Sequence, residues 1–286
     1  MKVSISQALK NVASEKYNKQ NIFLFFLVIL AASITSLFIP TELQNPELMK
    51  QLIPNEIIAL LTSPKTIIPA IVCVILCLFE LGYTIISVNN AIYEKEEICL
   101  NPFTNFGKML AKGFVCSVGS AIVYILICIL AIIPTMLLVK ISPYFFIFIF
   151  FFVLVMVHAW LCVFLRFCIT LNFKDWFSFK SSWIMIANNA RRYGSYIGKS
   201  ILLSITYLAC IFMTGLFFGI ILGIMGITTS IPTTVELAID VLIIIISSIF
   251  TCLFYMYSID LTAQMLYPMA KEEPEKISQE ETSLEE

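Results

Sequence analysis

The chain has 286 residues, of which 59% are hydrophobic and 13% charged, with a net charge of −1 and a mean hydropathy of +0.93. A soluble domain carries about 25% charged residues, so this chain holds roughly half the charge needed to coat a water-facing surface. These values exclude a soluble globular protein, a disordered chain and a fibrous one, and the lack of a basic excess argues against nucleic acid as a partner.

In chain order, the first element is an amphipathic stretch, Ser4–Asn18, with Ile5, Leu9, Val12 and Ala13 at helical spacing on one face. Six apolar blocks follow: Ile22–Ile39, Ile67–Val88, Phe114–Val139, Tyr144–Leu165, Ile201–Ile227 and Leu237–Leu261. Each is long enough to cross a hydrocarbon core, which takes about 20 helical residues. A β-barrel is excluded, because its strands alternate and give no such runs. The first block reads as an uncleaved anchor, since no small-residue cleavage site follows it. The third is expected to bend at Pro134.

Between the blocks, Pro46–Leu61 reads as a helix lying on the outer surface, Lys140–Pro143 as a tight turn and Thr228–Glu236 as a short polar loop. Two further amphipathic stretches, Pro102–Lys112 and Trp176–Tyr196, lead into the third and fifth blocks. The starts Ile22, Phe114 and Ile201 lie about 90 residues apart, a spacing that suggests three repeated units of interfacial helix plus helical hairpin. The acidic tail Lys271–Glu286, with seven glutamates and two lysines, is expected to be solvated and disordered. The reading is therefore an all-α polytopic membrane protein. It has a cytoplasmic amphipathic segment (1–21), a six-helix transmembrane domain (22–268) and a disordered tail (269–286).

Six spans put both ends on one side. That side holds Lys2, Lys10, Lys16, Lys19, Lys95, Lys108, Lys112, Arg166, Lys174, Lys180, Arg191, Arg192, Lys199, Lys271 and Lys276, which is 15 of the 18 basic residues. Positive charge is retained inside, so both termini are expected to be cytoplasmic.

Ionisable groups within spans cost at least about 2.5–3.5 kcal/mol each, so each needs a reason. Glu80 and His158 fall at a shared depth on the second and fourth blocks, and Tyr124 on the third reaches a similar level. A buried Glu80–His158 contact, joined by Tyr124, is expected. It reads either as a proton or ion relay or as a neutral hydrogen-bonded pair that fixes helix packing. Arg166 and Asp260 lie near cytoplasmic span ends, where snorkelling to water is the simpler reading and pairing the other. Gly215, Gly219 and Gly223 form GxxxGxxxG and read as a helix-packing face, toward another span or a second copy. Lys174, Lys180, Arg191 and Arg192, interleaved with aromatics, read as contacts to anionic lipid headgroups.

Reactive chemistry is sparse. The nine cysteines lie mostly in apolar spans and read as filler, and Cys99 is cytoplasmic and reduced. A single histidine excludes a multi-histidine metal site, and no phosphate loop, dinucleotide fingerprint or nucleophile elbow is present. No catalytic residue, metal or cofactor is expected. The expected partners are the bilayer, anionic headgroups and a membrane-protein partner or second copy.

Five segments carry a resemblance: ISQALKNVASEKYNKQN, ELGYTIISVNNAIYEKEE, NPFTNFGKMLAKGF, the aromatic–basic stretch before the fifth block, and AQMLYPMA. Together they resemble the prokaryotic multi-pass membrane family known as domain of unknown function 4013. Gly82-Tyr83 followed by Pro102, Phe103 and Gly113 is similar to its central signature. A glycine is usual in the turn near Glu94–Glu97, and this chain has none there. The membrane domain attached to some glycerophosphodiesterases is a second resemblance. Both imply a membrane location and neither assigns catalytic residues. The expected function is a non-catalytic lipid- or partner-binding accessory protein of a prokaryotic plasma membrane. The alternative is a small transporter or channel using Glu80 and His158.

Overall fold

The computed structural model describes residues 3–14, 17–36, 38, 61–141, 146–228 and 233–284, which are helical almost throughout and contain no strand. The helices are α1 (Ile5–Val12), α2 (Lys19–Ser36), α3 (Pro64–Ile92), α4 (Phe106–Ile141) and α5 (Phe146–Thr170). After a 3-10 turn at Phe173–Phe177 come α6 (Phe179–Asn188), α7 (Ala190–Thr228) and α8 (Thr233–Leu284). Four stretches are long and apolar enough to cross a membrane: Pro64–Ile92, Phe106–Leu130, Ala190–Ile221 and Ala238–Lys271. Two apolar helical stretches, Lys19–Thr35 and Leu154–Thr170, are shorter. The expected surface helix Pro46–Leu61 and the turn at Lys140–Pro143 fall mostly outside the described residues. α4 continues as a helix past Pro134.

α3 is the central post, touching α2, α4, α5 and α8. Its first turns leave Ile67, Ile68, Ile71 and Val74 exposed, whereas Tyr83 to Ile92 is buried on nearly every face. A helix enclosed all round must be apolar or internally satisfied. The core therefore gathers at the C-terminal end of α3, the end near which Lys95, Lys108 and Lys112 lie in the sequence.

Two glycines set the α3–α4 crossing. A Cβ on Gly82 would lie 1.8 Å from the Met109 carbonyl oxygen, and one on Gly113 would lie 1.7 Å from that of Leu78. The two backbones touch, which only glycine on both sides permits. Gly119 serves a side chain instead, lying under the buried Trp176 indole.

The structure bears on three expectations. Among the described residues nothing lies within 4 Å of a Cβ built on Gly215, Gly219 or Gly223, so no described helix packs on that face. α7 rests on α8 through a neighbouring face, where Tyr207 bonds Thr251 at 3.0 Å and its ring lies 4.7 Å from that of Phe254. Next, the three amphipathic stretches take three different forms. α1 is a separate helix docked on α8, Pro102–Lys112 runs into the first turns of α4, and Trp176–Tyr196 is split among the 3-10 turn, α6 and α7. Finally, α8 continues as a helix to Leu284, through the segment expected to be disordered. Extending an existing helix needs no new nucleation, and Glu, Lys and Gln are good helix formers.

Candidate functional site

The proposed mid-membrane trio does not meet. The Glu80 carboxylate accepts from the Tyr255 hydroxyl of α8 at 3.4 Å. His158 Nδ1 shares a 3.0 Å hydrogen bond with the Tyr193 hydroxyl of α7, and its ring stands edge-on to Tyr193 and Trp183. Tyr124 is half exposed, with its ring 5.7 Å from that of Trp160. The pairing rested on shared depth, and depth does not fix azimuth. Glu80 looks inward to α8, while His158 looks toward α6 and α7.

Arg166 and Asp260 do not pair either. Arg166 Nε donates to Asp175 at 3.0 Å, which closes the 3-10 turn after α5. Thr170 also donates to that carboxylate, and the Asn172 side chain caps the turn by accepting from the Lys174 N–H. Trp176, fully buried, then locks the turn against α4 and α5.

This anchored turn sets where α6 begins. Lys174, Lys180 and Arg191 are exposed around it and Arg192 is half-buried. Trp183 of α6 is 52% exposed and stands between two apolar grooves. One, of about 530 Å³, is walled by His158, Ile186, Tyr193 and Ile197; the other, of about 410 Å³, by Ala159, Cys162, Phe179 and Lys180. A charged amine therefore sits on the rim of a groove that is otherwise apolar.

The end of the bundle where α3 and α5 finish carries a polar web that the sequence reading missed. The last carbonyls of a helix lack intrahelical partners; two side chains supply them for α5, and a third holds the residue that follows it. Asn89 donates to Cys168 and Ile169, Tyr93 to Ile169, and Lys112 to Leu171. Asn90 ties the loop after α3 by donating to Glu97 and Ile98, and Asn21 donates to Cys99 at 2.7 Å. Within that loop Glu94 adopts φ 50°, the left-handed region that costs a non-glycine residue about 1–2 kcal/mol. The turn at Glu94 therefore has a geometry that glycine would suit. Burial pushes the Cys99 thiol up to about 11, so it stays protonated at neutral pH.

α1 is clasped to α8 by the same kind of chemistry. Gln264 accepts from the Ser4 N–H at 2.8 Å and donates back to the Ser4 carbonyl, and Lys199 donates to the Val3 carbonyl. Asp260 accepts from Asn11, from the Tyr17 hydroxyl at 3.0 Å and from Gln264 at 2.6 Å. Burial, and then the nearby Asp260, hold the Tyr17 phenol above its usual range. A phenol raised in the fold contributes stability that is complete below about pH 10, the unfolded value, and lost as pH rises beyond it. Amide exchange of residues 3–14 is therefore expected to accelerate more steeply above pH 10 in wild type than in Tyr17→Phe. Equal slopes would refute the coupling.

No family model, no curated protein and no solved structure matches the chain.

Proposed function

We propose that the chain is a six-span protein of a prokaryotic plasma membrane, with both termini cytoplasmic, related to domain of unknown function 4013. In this reading it is a non-catalytic accessory protein that holds an anionic phospholipid against α5 and α6. The span count adds α2 and α5 to the four long apolar stretches. Their 18 and 25 residues extend about 27 Å and about 37 Å at 1.5 Å per residue, against a hydrocarbon thickness of about 30 Å.

The observation that carries the lipid reading is the pair of grooves on either side of Trp183. A phospholipid has two acyl chains and one phosphate. Two apolar channels divided by one indole suit the chains, and Lys180 on a rim, with exposed Lys174 and Arg191 nearby in sequence, suits the phosphate. Indole at a membrane interface presents an apolar body with a polar edge, the usual anchor at headgroup level. The conduit alternative loses its premise, because Glu80 and His158 bond to different partners.

The test is native mass spectrometry of the protein in mild detergent, with phosphatidylglycerol titrated in. Lys180→Ala is expected to weaken retention about fivefold, as for loss of about 1 kcal/mol of phosphate attraction. Trp183→Ala, which merges the two grooves, is expected to weaken it further. Retention unchanged in both variants would defeat the lipid reading. Compartment-sensitive tags that place the two ends on opposite sides would defeat the six-span reading.

A further inference from the structure

We infer that the cavity enclosed by α1, the turn after α3 and the inner part of α8 is a binding site for a small organic ammonium group, seated on Asp260. The inference stands apart from the α5–α6 lipid face and shares no residue with it.

The cavity is about 340 Å³, and Asn11, Tyr17, Glu94, Lys95, Asp260 and Tyr267 are on its wall. Asp260 is only 4% exposed, yet it lines this space. Among the described residues its hydrogen bonds come from neutral donors: the Asn11 amide, the Tyr17 hydroxyl and the Gln264 amide. Neutral donors satisfy the oxygens without cancelling the charge, and a buried carboxylate is most stable beside a cation. Among the described residues no lysine or arginine forms an ion pair with it. Glu94 at the mouth adds a second negative charge.

The wall suits an amine better than a metal ion. Gln264 Oε1 is engaged by the Ser4 N–H and Asn11 Oδ1 by the Gln7 amide. Both residues therefore turn nitrogen, not oxygen, toward Asp260, whereas calcium and magnesium want six or more oxygens. The cavity, at about 340 Å³, is also far larger than a metal ion. An aromatic ring completes the match. Tyr267 already carries a cation on its ring, with Lys271 Nζ 4.4 Å from the centroid, and Tyr267 lines the cavity.

Lys95 adds a preference. Its ammonium donates to the side-chain oxygens of Asn89 and Asn90, leaving one of its three protons. An anionic group a few bonds from the bound amine would meet that proton. The ligand class is thus an ammonium compound, best one that also carries a phosphate or carboxylate. The ammonium has two sources: a free ethanolamine-type metabolite or the headgroup of an ethanolamine phospholipid.

The experiment titrates the full-length protein in neutral detergent with three probes: free phosphoethanolamine, phosphatidylethanolamine, and phosphatidylglycerol as the control without an amine. Binding of phosphoethanolamine assigns the free compound, and binding of phosphatidylethanolamine alone assigns the headgroup. In either case Asp260→Asn is expected to weaken binding about tenfold or more, as for loss of a charge-assisted hydrogen bond. Glu94→Gln and Tyr267→Leu, which leave the Asp260 clasp intact, are expected to weaken it about threefold, in the range of a screened charge or a cation–ring contact. If Asp260→Asn does not fold, those two variants decide. The inference is overturned if neither amine binds, if phosphatidylglycerol displaces the bound amine as well as unlabelled amine does, or if no folded variant changes the amine affinity. Loss of phosphatidylglycerol retention in Lys180→Ala, with amine binding intact, would separate the two sites.

Discussion

Alanine at Gly82 or Gly113 is expected to destabilise the protein by about 3 kcal/mol or more, at or beyond the upper end for overpacking. The built Cβ atoms would stand 1.8 and 1.7 Å from backbone carbonyl oxygens, not from the ends of flexible side chains. Relief therefore requires α3 and α4 to part as rigid rods. That motion would open the stack of Phe79 on Phe106, whose centroids are 5.0 Å apart, and expose Met109, now fully buried. It would also displace α3 against α2, α5 and α8 together. Gly215→Ala, Gly219→Ala and Gly223→Ala, by contrast, are expected to be neutral or to stabilise α7 by up to about 1 kcal/mol each, since alanine favours helix and nothing obstructs it. Thermal unfolding in detergent, followed by tryptophan fluorescence, separates the two groups. Equal melting of Gly82→Ala and wild type would remove the close crossing.

The contrast between these glycines shows what the sequence could reveal. Composition and run length sufficed for an all-helical protein with membrane-crossing stretches, because solvent choice is written in every residue. GxxxGxxxG in the fifth block was the stronger pattern, yet no described residue packs on it, while Gly82 and Gly113 belong to no such pattern and bear the crossing. A motif in one helix names a smooth face and says nothing of whether a partner comes to it. Glu80 and His158 failed for the same reason, since residue count gives height and leaves azimuth free. The polar web at the inner end had a fainter signal. Asn89, Asn90, Asp260 and Gln264 interrupt otherwise apolar segments near the same end of their spans. Polar groups there must be paired if buried, and snorkelling was the wrong alternative for Asp260 because α1 covers it.

Asp260→Ala is expected to cost the docked N-terminal segment about 2–4 kcal/mol while leaving the apolar core largely intact. The substitution removes an acceptor from three donors at once. Gln264 keeps the Ser4 carbonyl as a second acceptor, but Tyr17 is fully buried and, among the described residues, its hydroxyl bonds Asp260 alone. Each donor left buried without an acceptor costs about 1–3 kcal/mol. The loss should be local, because α1 packs chiefly on α8, and an element of eight residues has little helical stability of its own. Trypsin is the direct probe, since Lys10 lies within α1. Cleavage there is expected to accelerate at least tenfold in Asp260→Ala, with a smaller change in Asp260→Asn, whose remaining oxygen can still accept from Tyr17. A melting temperature that falls sharply while cleavage at Lys10 stays slow would mean that Asp260 supports the core instead of the clasp. The expected pattern is the reverse, because among the described residues the carboxylate is the acceptor through which Asn11 and Tyr17 grip α8.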